Sequence, residues 1–166
     1  MTSDGGVLVT PEREEVLQLI EKIRKNNSNS VAICFLNAYI NPANEILVRD
    51  WLKAKLPDVR ISASHEVCRE IREFERMSTV ALNTATMPLM AAYLAEISPR
   101  IQATLPNAKV LLMQSNGGSL TVETARELPV RLITSGPAGG ALAVQRLGKA
   151  TGNPNLLGVD MGGTST

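Results

Sequence analysis

The chain reads as an α/β protein built around parallel strands, and three observations lead there. Apolar runs of strand length alternate with amphipathic runs of helix length along the 166 residues. Residues 31–36 are apolar throughout, as a strand buried on both faces requires; a half-exposed strand would alternate. The order strand, helix, strand across residues 31–63 implies a parallel βαβ unit, whose crossover is right-handed.

Each element has a local justification. Pro11 is a helix-start residue, and Val16, Leu17, Leu19, Ile20 and Ile23 make one apolar face of a helix over 11–25. A polar break at 26–30 precedes the strand at 31–36. Asn41-Pro42-Ala43-Asn44-Glu45 opens a second helix, which Pro57 stops after about residue 56, and 59–63 is a short strand. Residues 67–74 read as a helix and 79–104 as a much longer one, with kinks or breaks predicted at Pro88 and Pro99. A strand at 109–114 runs into the glycine turn Ser115-Asn116-Gly117-Gly118. Thr121 caps a short helix reaching Leu128, with Thr124 as a weak capping-box partner. A helix rich in Ala and Gly follows at 137–147, and 156–160 is the last strand. No internal repeat or low-complexity tract interrupts the chain, and a boundary between two lobes is placed near residues 75–85.

Composition narrows the function classes. Hydrophobic content of 44% and charged content of 20% are ordinary globular values. The 17 basic residues are interleaved with 16 acidic ones for a net charge of +1, so no strong field invites nucleic acid or an anionic membrane. No run of membrane-span length is evident, and the first residues lack the positive region and apolar stretch of a signal peptide. A cytoplasmic location is therefore expected. Cys34 and Cys68 are isolated, which favours buried, reduced thiols over zinc or a redox pair.

The most chemical stretch is the last one. Leu156-Leu157-Gly158-Val159-Asp160-Met161-Gly162-Gly163-Thr164-Ser165-Thr166 reads as an apolar strand delivering an aspartate to a glycine-rich turn. Asp160 is a candidate magnesium ligand, directly or through water. Gly162 and Gly163 let backbone N–H groups approach phosphate oxygens, and Thr164 adds a hydroxyl. An ordinary tight turn is the competing reading. The segment is neither a mononucleotide loop, which needs Gly-Lys-Ser/Thr, nor a dinucleotide fingerprint.

Three further loops carry candidate residues. Ser135-Gly136-Pro137-Ala138-Gly139-Gly140 lies at a helix start, where free N–H groups suit an anion. Ser135 and Gly136 are the ligand-contact candidates there, whereas Gly139 and Gly140 read as allowing close helix packing. Ser115 and Asn116 end a strand, where ligands of open α/β sheets bind. Ser115 lacks a nearby histidine that would make it a nucleophile, and Asn116 equally suits a left-handed turn position. Ser64-His65-Glu66 ends another strand. His65 is a candidate acid, base or ligand, but one histidine alone makes no metal site. The charges that follow, Arg69, Arg72, Glu73, Glu75 and Arg76, read as a solvated helix face with i,i+3 and i,i+4 pairs.

Taken in order, these segments carry a resemblance. Residues 31–42 with the Glu45-led helix, Ser64-His65-Glu66-Val67 leading into residues 72–79, then Asn83 and Pro88, Met113-Gln114-Ser115-Asn116-Gly117-Gly118, Ser135-Gly136-Pro137-Ala138-Gly139-Gly140 and Asp160-Met161-Gly162-Gly163-Thr164-Ser165-Thr166 together resemble the hydantoinase/5-oxoprolinase family, specifically its ATP-binding A subunit or A-like half. The resemblance spans nearly the whole chain. It implies part of an actin-like ATPase, or ribonuclease H-like, fold: the end of a first lobe in residues 1–76 and the opening of a second in 77–166. It further implies ATP and Mg2+ as cofactors, held by Asp160, Gly162, Gly163, Thr164, Ser135 and Gly136. The implied activity of the intact protein is ATP-dependent ring opening of 5-oxoproline, hydantoin or N-methylhydantoin; relatives that activate ketones for carboxylation provide the alternative. His65, Ser115 and Asn116 become candidate contacts to substrate or to the adjoining lobe. A B-type subunit or domain is the implied partner, in an oligomer. The family's first phosphate loop falls upstream of this segment, and an Asp is expected immediately after Thr166, so the chain reads as an internal slice that catalyses nothing alone. A sugar or acyl kinase of the same superfamily, or a non-catalytic fragment, are the competing classes; the Ser-Asn-Gly-Gly and Ser-Gly-Pro-Ala segments oppose the kinase. One departure stands out: where the family has a histidine before the Glu of the Asn-Pro motif, this chain has Asn44.

Overall fold

The computed structural model describes residues 1–162 and divides them into two compact units, Met1–Tyr93 and the remainder from Leu94 onward. In the first unit, helix α1 (Arg13–Lys25) leads to strand β1 (Ser30–Ile33), helix α2 (Ala43–Lys55), strand β2 (Arg60–Ala63), the single turn α3 (Ser64–Val67) and the start of α4 (Glu73–Thr104). β1 and β2 pair in parallel from Ser30↔Arg60 to Ile33↔Ala63, so the α/β class and the βαβ unit read from the sequence are present.

The core of this unit is apolar and conventional. Val16 and Ile20 from α1, Val48 and Leu52 from α2, and Ile33, Ile61 and Ala63 from the strands bury together with Leu56. Leu17 and Leu19, counted above on the apolar face of α1, are exposed instead. The helix starts two residues after Pro11, behind a reciprocal Glu12–Glu15 capping box. β1 stops at Ile33, short of the predicted Leu36, because the Phe35 N–H is taken by the Glu45 carboxylate rather than by a neighbouring strand.

Two helix predictions need correction. The helix read at 67–74 is only the turn α3, since Arg72 adopts a left-handed φ of 79° that separates it from α4. α4 then runs 32 residues without the breaks predicted at Pro88 and Pro99. Each interior proline costs about 3 kcal/mol, and burial of Val80, Asn83, Thr84, Met87 and Ala91 along one stripe offsets it. By length and composition α4 also reaches a membrane span, with an 18-residue window of mean hydropathy 1.2, contrary to the reading that no stretch did. On its buried stripe, however, Asn83 Nδ2 donates to Ser62 Oγ at 2.9 Å, so that face packs on strand β2.

In the second unit, strands β3 (Leu111–Met113) and β4 (Ser119–Thr121) form an antiparallel hairpin, with Leu112 opposite Leu120. The sequence reading had one strand and a turn here. Helix α5 (Val122–Glu127) follows directly, and Thr121 caps it as predicted, accepting from the Thr124 N–H at 3.3 Å. A 3-10 turn, Pro129–Leu132, leads to helix α6 (Ser135–Thr151). A Cβ added to Gly139 or Gly140 would meet nothing within 4 Å among the described residues, so the close packing ascribed to these glycines is absent there. The contact instead falls at Gly158, where a Cβ would lie 2.6 Å from Val144 Cγ2 as the tail lies along α6. That tail forms no strand at 156–160, and Leu157 is 91% exposed. No described residue pairs with it, and without a ladder partner an apolar segment gains nothing from extended pairing. Cys34 and Cys68 are free thiols, half-buried rather than fully buried as expected.

Candidate functional site

The densest polar constellation lies where β1 and β2 end, in the first unit. Ligands of open α/β sheets bind beyond the carboxyl ends of parallel strands. Glu45, in the first turn of α2, points its carboxylate under these ends and is fully buried. An acid in a first turn also complements the helix dipole. Four donors converge on it: Phe35 N–H at 2.8 Å and Ser64 Oγ at 2.6 Å on Oε1, and His65 N–H at 2.9 Å and His65 Nδ1 at 2.7 Å on Oε2. Four donors match the acceptor capacity of a carboxylate.

Arg76 closes the network from α4. It is fully buried, donating from Nε to Ser64 Oγ at 3.1 Å and from its terminal nitrogens to Phe35 O at 2.8 Å and Glu70 O at 3.0 Å. Its guanidinium sits 5.6 Å from the Tyr39 ring centroid, within cation–π range. The sequence reading placed Arg76 on a solvated face. Of the predicted pairs, Arg72–Glu75 and Arg76–Glu73 form, at 3.7 and 3.8 Å, whereas Arg69 donates to the Tyr39 and Ile40 carbonyls.

The loop over the network is held by its asparagines. Asn41 Oδ1 accepts the Ala43 N–H at 3.0 Å, fixing the entry to α2, and its Nδ2 donates to Gly5 O at 2.8 Å. Asn44 is buried and donates to Val9 O at 2.9 Å, an architectural bond. His65 is the network's outlet: its side chain is 11% exposed, Nδ1 is engaged by Glu45, and Nε2 is not among the buried unpartnered atoms. Beside it, Glu66 pairs with Arg49. On the other flank the Cys68 thiol is pushed up by burial and by nearby Glu70.

Sequence reasoning passed over Glu45 and Arg76, yet both carried a signal. Glu45, Val48 and Leu52 share one face of α2 at i, i+3, i+7, and Arg76, Val80, Asn83 and Met87 share one of α4 at i, i+4, i+7, i+11; all are buried. A charge on an apolar stripe marks a buried, partnered group.

The other candidates lie in the second unit. Ser115 binds the Arg131 carbonyl through both its N–H, at 2.8 Å, and its hydroxyl, at 3.2 Å, tying the hairpin turn to the 3-10 turn. The left-handed position falls to Gly117 (φ 86°) rather than Asn116, whose Oδ1 accepts the Gly118 N–H at 2.9 Å. Ser135 and Gly136 open α6 behind Thr134, itself left-handed at φ 63°. Asp160 and Gly162 are exposed in the irregular tail, and Gly163 and Thr164 lie outside the described residues. No cluster of three or more metal-ligating side chains occurs among the described residues.

A family model described as Hydantoinase/oxoprolinase matches residues 76–166, and one described as Hydantoinase/oxoprolinase N-terminal region matches 1–56. Caprolactamase subunit alpha of Pseudomonas jessenii is 33% identical over 98% of this chain and 23% of its own length. The 5-oxoprolinase of Saccharomyces cerevisiae is 29% identical over 96% of this chain and 12% of its own. The crystal structure of the ATP-dependent caprolactamase from Pseudomonas jessenii matches with a TM-score of 0.84 at 33% identity, over 99% of this chain and 24% of that one. Nucleotide-free acetone carboxylase matches with a TM-score of 0.75 at 26% identity, over 92% and 22%. The chain thus spans about a quarter or less of the relatives it matches.

Proposed function

Because the chain belongs to the hydantoinase/oxoprolinase family, we propose that it forms part of an ATP-dependent enzyme that opens cyclic amides. The carrying observation is the match to the ATP-dependent caprolactamase over 99% of this chain. The substrate class is a five-membered or larger cyclic amide, such as 5-oxoproline, hydantoin or N-methylhydantoin. The likeness to acetone carboxylase supports a second reading, in which ATP activates a ketone for carboxylation.

We assign residues 1–76 to the end of a first, actin-like lobe and 77–166 to the opening of a second, a division supported by the two family-model spans. Nucleotide phosphates would be held at the tail by the N–H groups of Gly162 and Gly163 and the hydroxyl of Thr164, with Ser135 and Gly136 offering further donors. The Asp160 carboxylate makes no hydrogen bond or ion pair to a described residue. A carboxylate next to phosphate-binding N–H groups suits Mg2+, which takes one or two carboxylates and otherwise phosphates and water. ATP supplies phosphoryl activation of the amide oxygen; the chain supplies position and charge stabilisation. A B-type subunit is the proposed partner, supported by the relative being a subunit itself. We place the enzyme in the cytoplasm, where the free thiols Cys34 and Cys68 stay reduced.

Calorimetry tests this. ATP–Mg2+ binding should be seen in a version extended at both ends and be lost on Asp160→Ala. Failure of the extended protein to bind would make the glycine segment a structural turn.

A further inference from the structure

We propose that His65 is a carboxylate-oriented base, presenting an unprotonated Nε2 at the carboxyl end of the β1–β2 pair, and that it serves the ring-opening step. The second half of this proposal rests on the functional reading above; the first does not.

The geometry settles the tautomer. Glu45 Oε2 already accepts the His65 backbone N–H at 2.9 Å, and its other oxygen is filled by Phe35 and Ser64, so the carboxylate acts only as acceptor. The ring nitrogen 2.7 Å from Oε2 must then be the one carrying hydrogen. In neutral His65 this leaves the lone pair on Nε2. Among the described residues that atom has no hydrogen-bond partner, and it is not sealed from solvent. Backbone and side chain of the same residue grip one carboxylate, so the ring is fixed at two points. Such double orientation is what a base needs and what a space-filling histidine does not.

Charged groups around His65 come from the neighbouring helices. Glu45 comes from α2, and Glu66 on α3 is drawn aside by Arg49. Arg76 on α4 is linked to Glu45 through the Ser64 hydroxyl and through the Phe35 backbone. A buried carboxylate behind an imidazole stabilises the imidazolium that forms when Nε2 takes a proton.

In the ring opening, Nε2 would take a proton from water as the water oxygen bonds to the activated amide carbon. The ring C–N bond then breaks with its electron pair going to nitrogen, the imidazolium returns its proton there, and the hydroxyl proton passes to solvent as the carbonyl re-forms. The phosphoryl group stays on the carboxyl oxygen as an acyl phosphate, which a second water splits to acid and inorganic phosphate. His65 ends the cycle as it began.

His65 is the only histidine in the 166 residues, so imidazole 15N NMR of this chain reads one ring. The expected spectrum of the neutral ring shows Nδ1 protonated and Nε2 bare, together with fast acylation by diethyl pyrocarbonate. Glu45→Gln, which offers Nδ1 a donor in place of an acceptor, should shift the proton to Nε2 and slow acylation. An Nε2-protonated ring in the unsubstituted chain overturns the dyad, whatever the variant does. In the extended protein, His65→Ala should lower kcat for cyclic-amide hydrolysis about 100- to 10,000-fold, flatten the acid limb of the pH–rate profile, and be partly restored by added imidazole. An unchanged pH profile with no rescue leaves His65 structural and overturns its part in the reaction. An extended protein that opens no cyclic amide sinks the functional reading instead, and the NMR result still decides the base.

Discussion

The carboxylate of Glu45 and the guanidinium of Arg76, both fully buried, are joined through a single hydroxyl: Ser64 Oγ donates to Glu45 Oε1 at 2.6 Å and accepts from Arg76 Nε at 3.1 Å. The two residues lie 31 positions apart in sequence, on α2 and α4, and their charges compensate one another across the ends of β1 and β2. Isolated charges in such a place would cost several kcal/mol each. The network therefore locks the strand ends, the asparagine loop and the start of α4 into one arrangement.

Ser64→Ala should destabilise the fold by about 1–3 kcal/mol, because it leaves a buried carboxylate oxygen short of one donor and Arg76 Nε without an acceptor. Urea unfolding followed by circular dichroism measures this, and an effect within a few tenths of the unsubstituted protein would contradict the bridge.

Arg76→Met should cost more, about 3–5 kcal/mol, since it keeps the apolar stem but leaves the Glu45 charge uncompensated. Combining it with Glu45→Gln should recover part of the loss. Strict additivity in the double-mutant cycle would show that the two charges do not communicate through Ser64.

Alkaline pH should weaken the fold through Cys68. Burial, reinforced by Glu70, raises its thiol, so the folded chain holds that proton to higher pH than the unfolded chain does. The contribution is full below the unfolded thiol's range and is lost as pH rises through the folded value, because the unfolded state ionises first. Cys68→Ala should remove that slope from a pH series of melting temperatures, and iodoacetamide should alkylate Cys68 more slowly than a free thiol at the same pH.

The two glycine contexts should respond with opposite signs. Gly140→Ala adds a methyl to open space within α6 and should stabilise by about 0.5–1 kcal/mol. Gly117→Ala forces a side chain to φ 86° and 3.1 Å from Leu142 Cδ1, and should cost roughly 1–2 kcal/mol. Thermal melts of the two variants decide this directly.

What sequence patterns revealed and what they hid follows from the range of the forces involved. The βαβ unit, the limits of α2 and the Thr121 cap were legible because period, capping and proline stops act within a few residues. Glu45 and Arg76 were missed because a buried charge is explained only by partners distant in the chain, and the run around Arg76 also makes good surface pairs. Residues 156–160 have the composition of a strand, but a strand exists only where another supplies its ladder, which no described residue does. The glycines at 139 and 140 imply close approach by composition, whereas the approach is made at Gly158. His65 was singled out from the start; its orientation was not, because the residue that orients it lies 20 positions away.

Glu45 also ties two clocks together. The amides of Phe35 and His65 stand on different segments, yet each is shielded by an oxygen of the same carboxylate. Neither proton can exchange with deuterium until that carboxylate lets go, so the two should disappear from a spectrum at a common rate under conditions where reclosing is slower than chemical exchange. Their shared lifetime is a direct reading of how often the strand ends come apart.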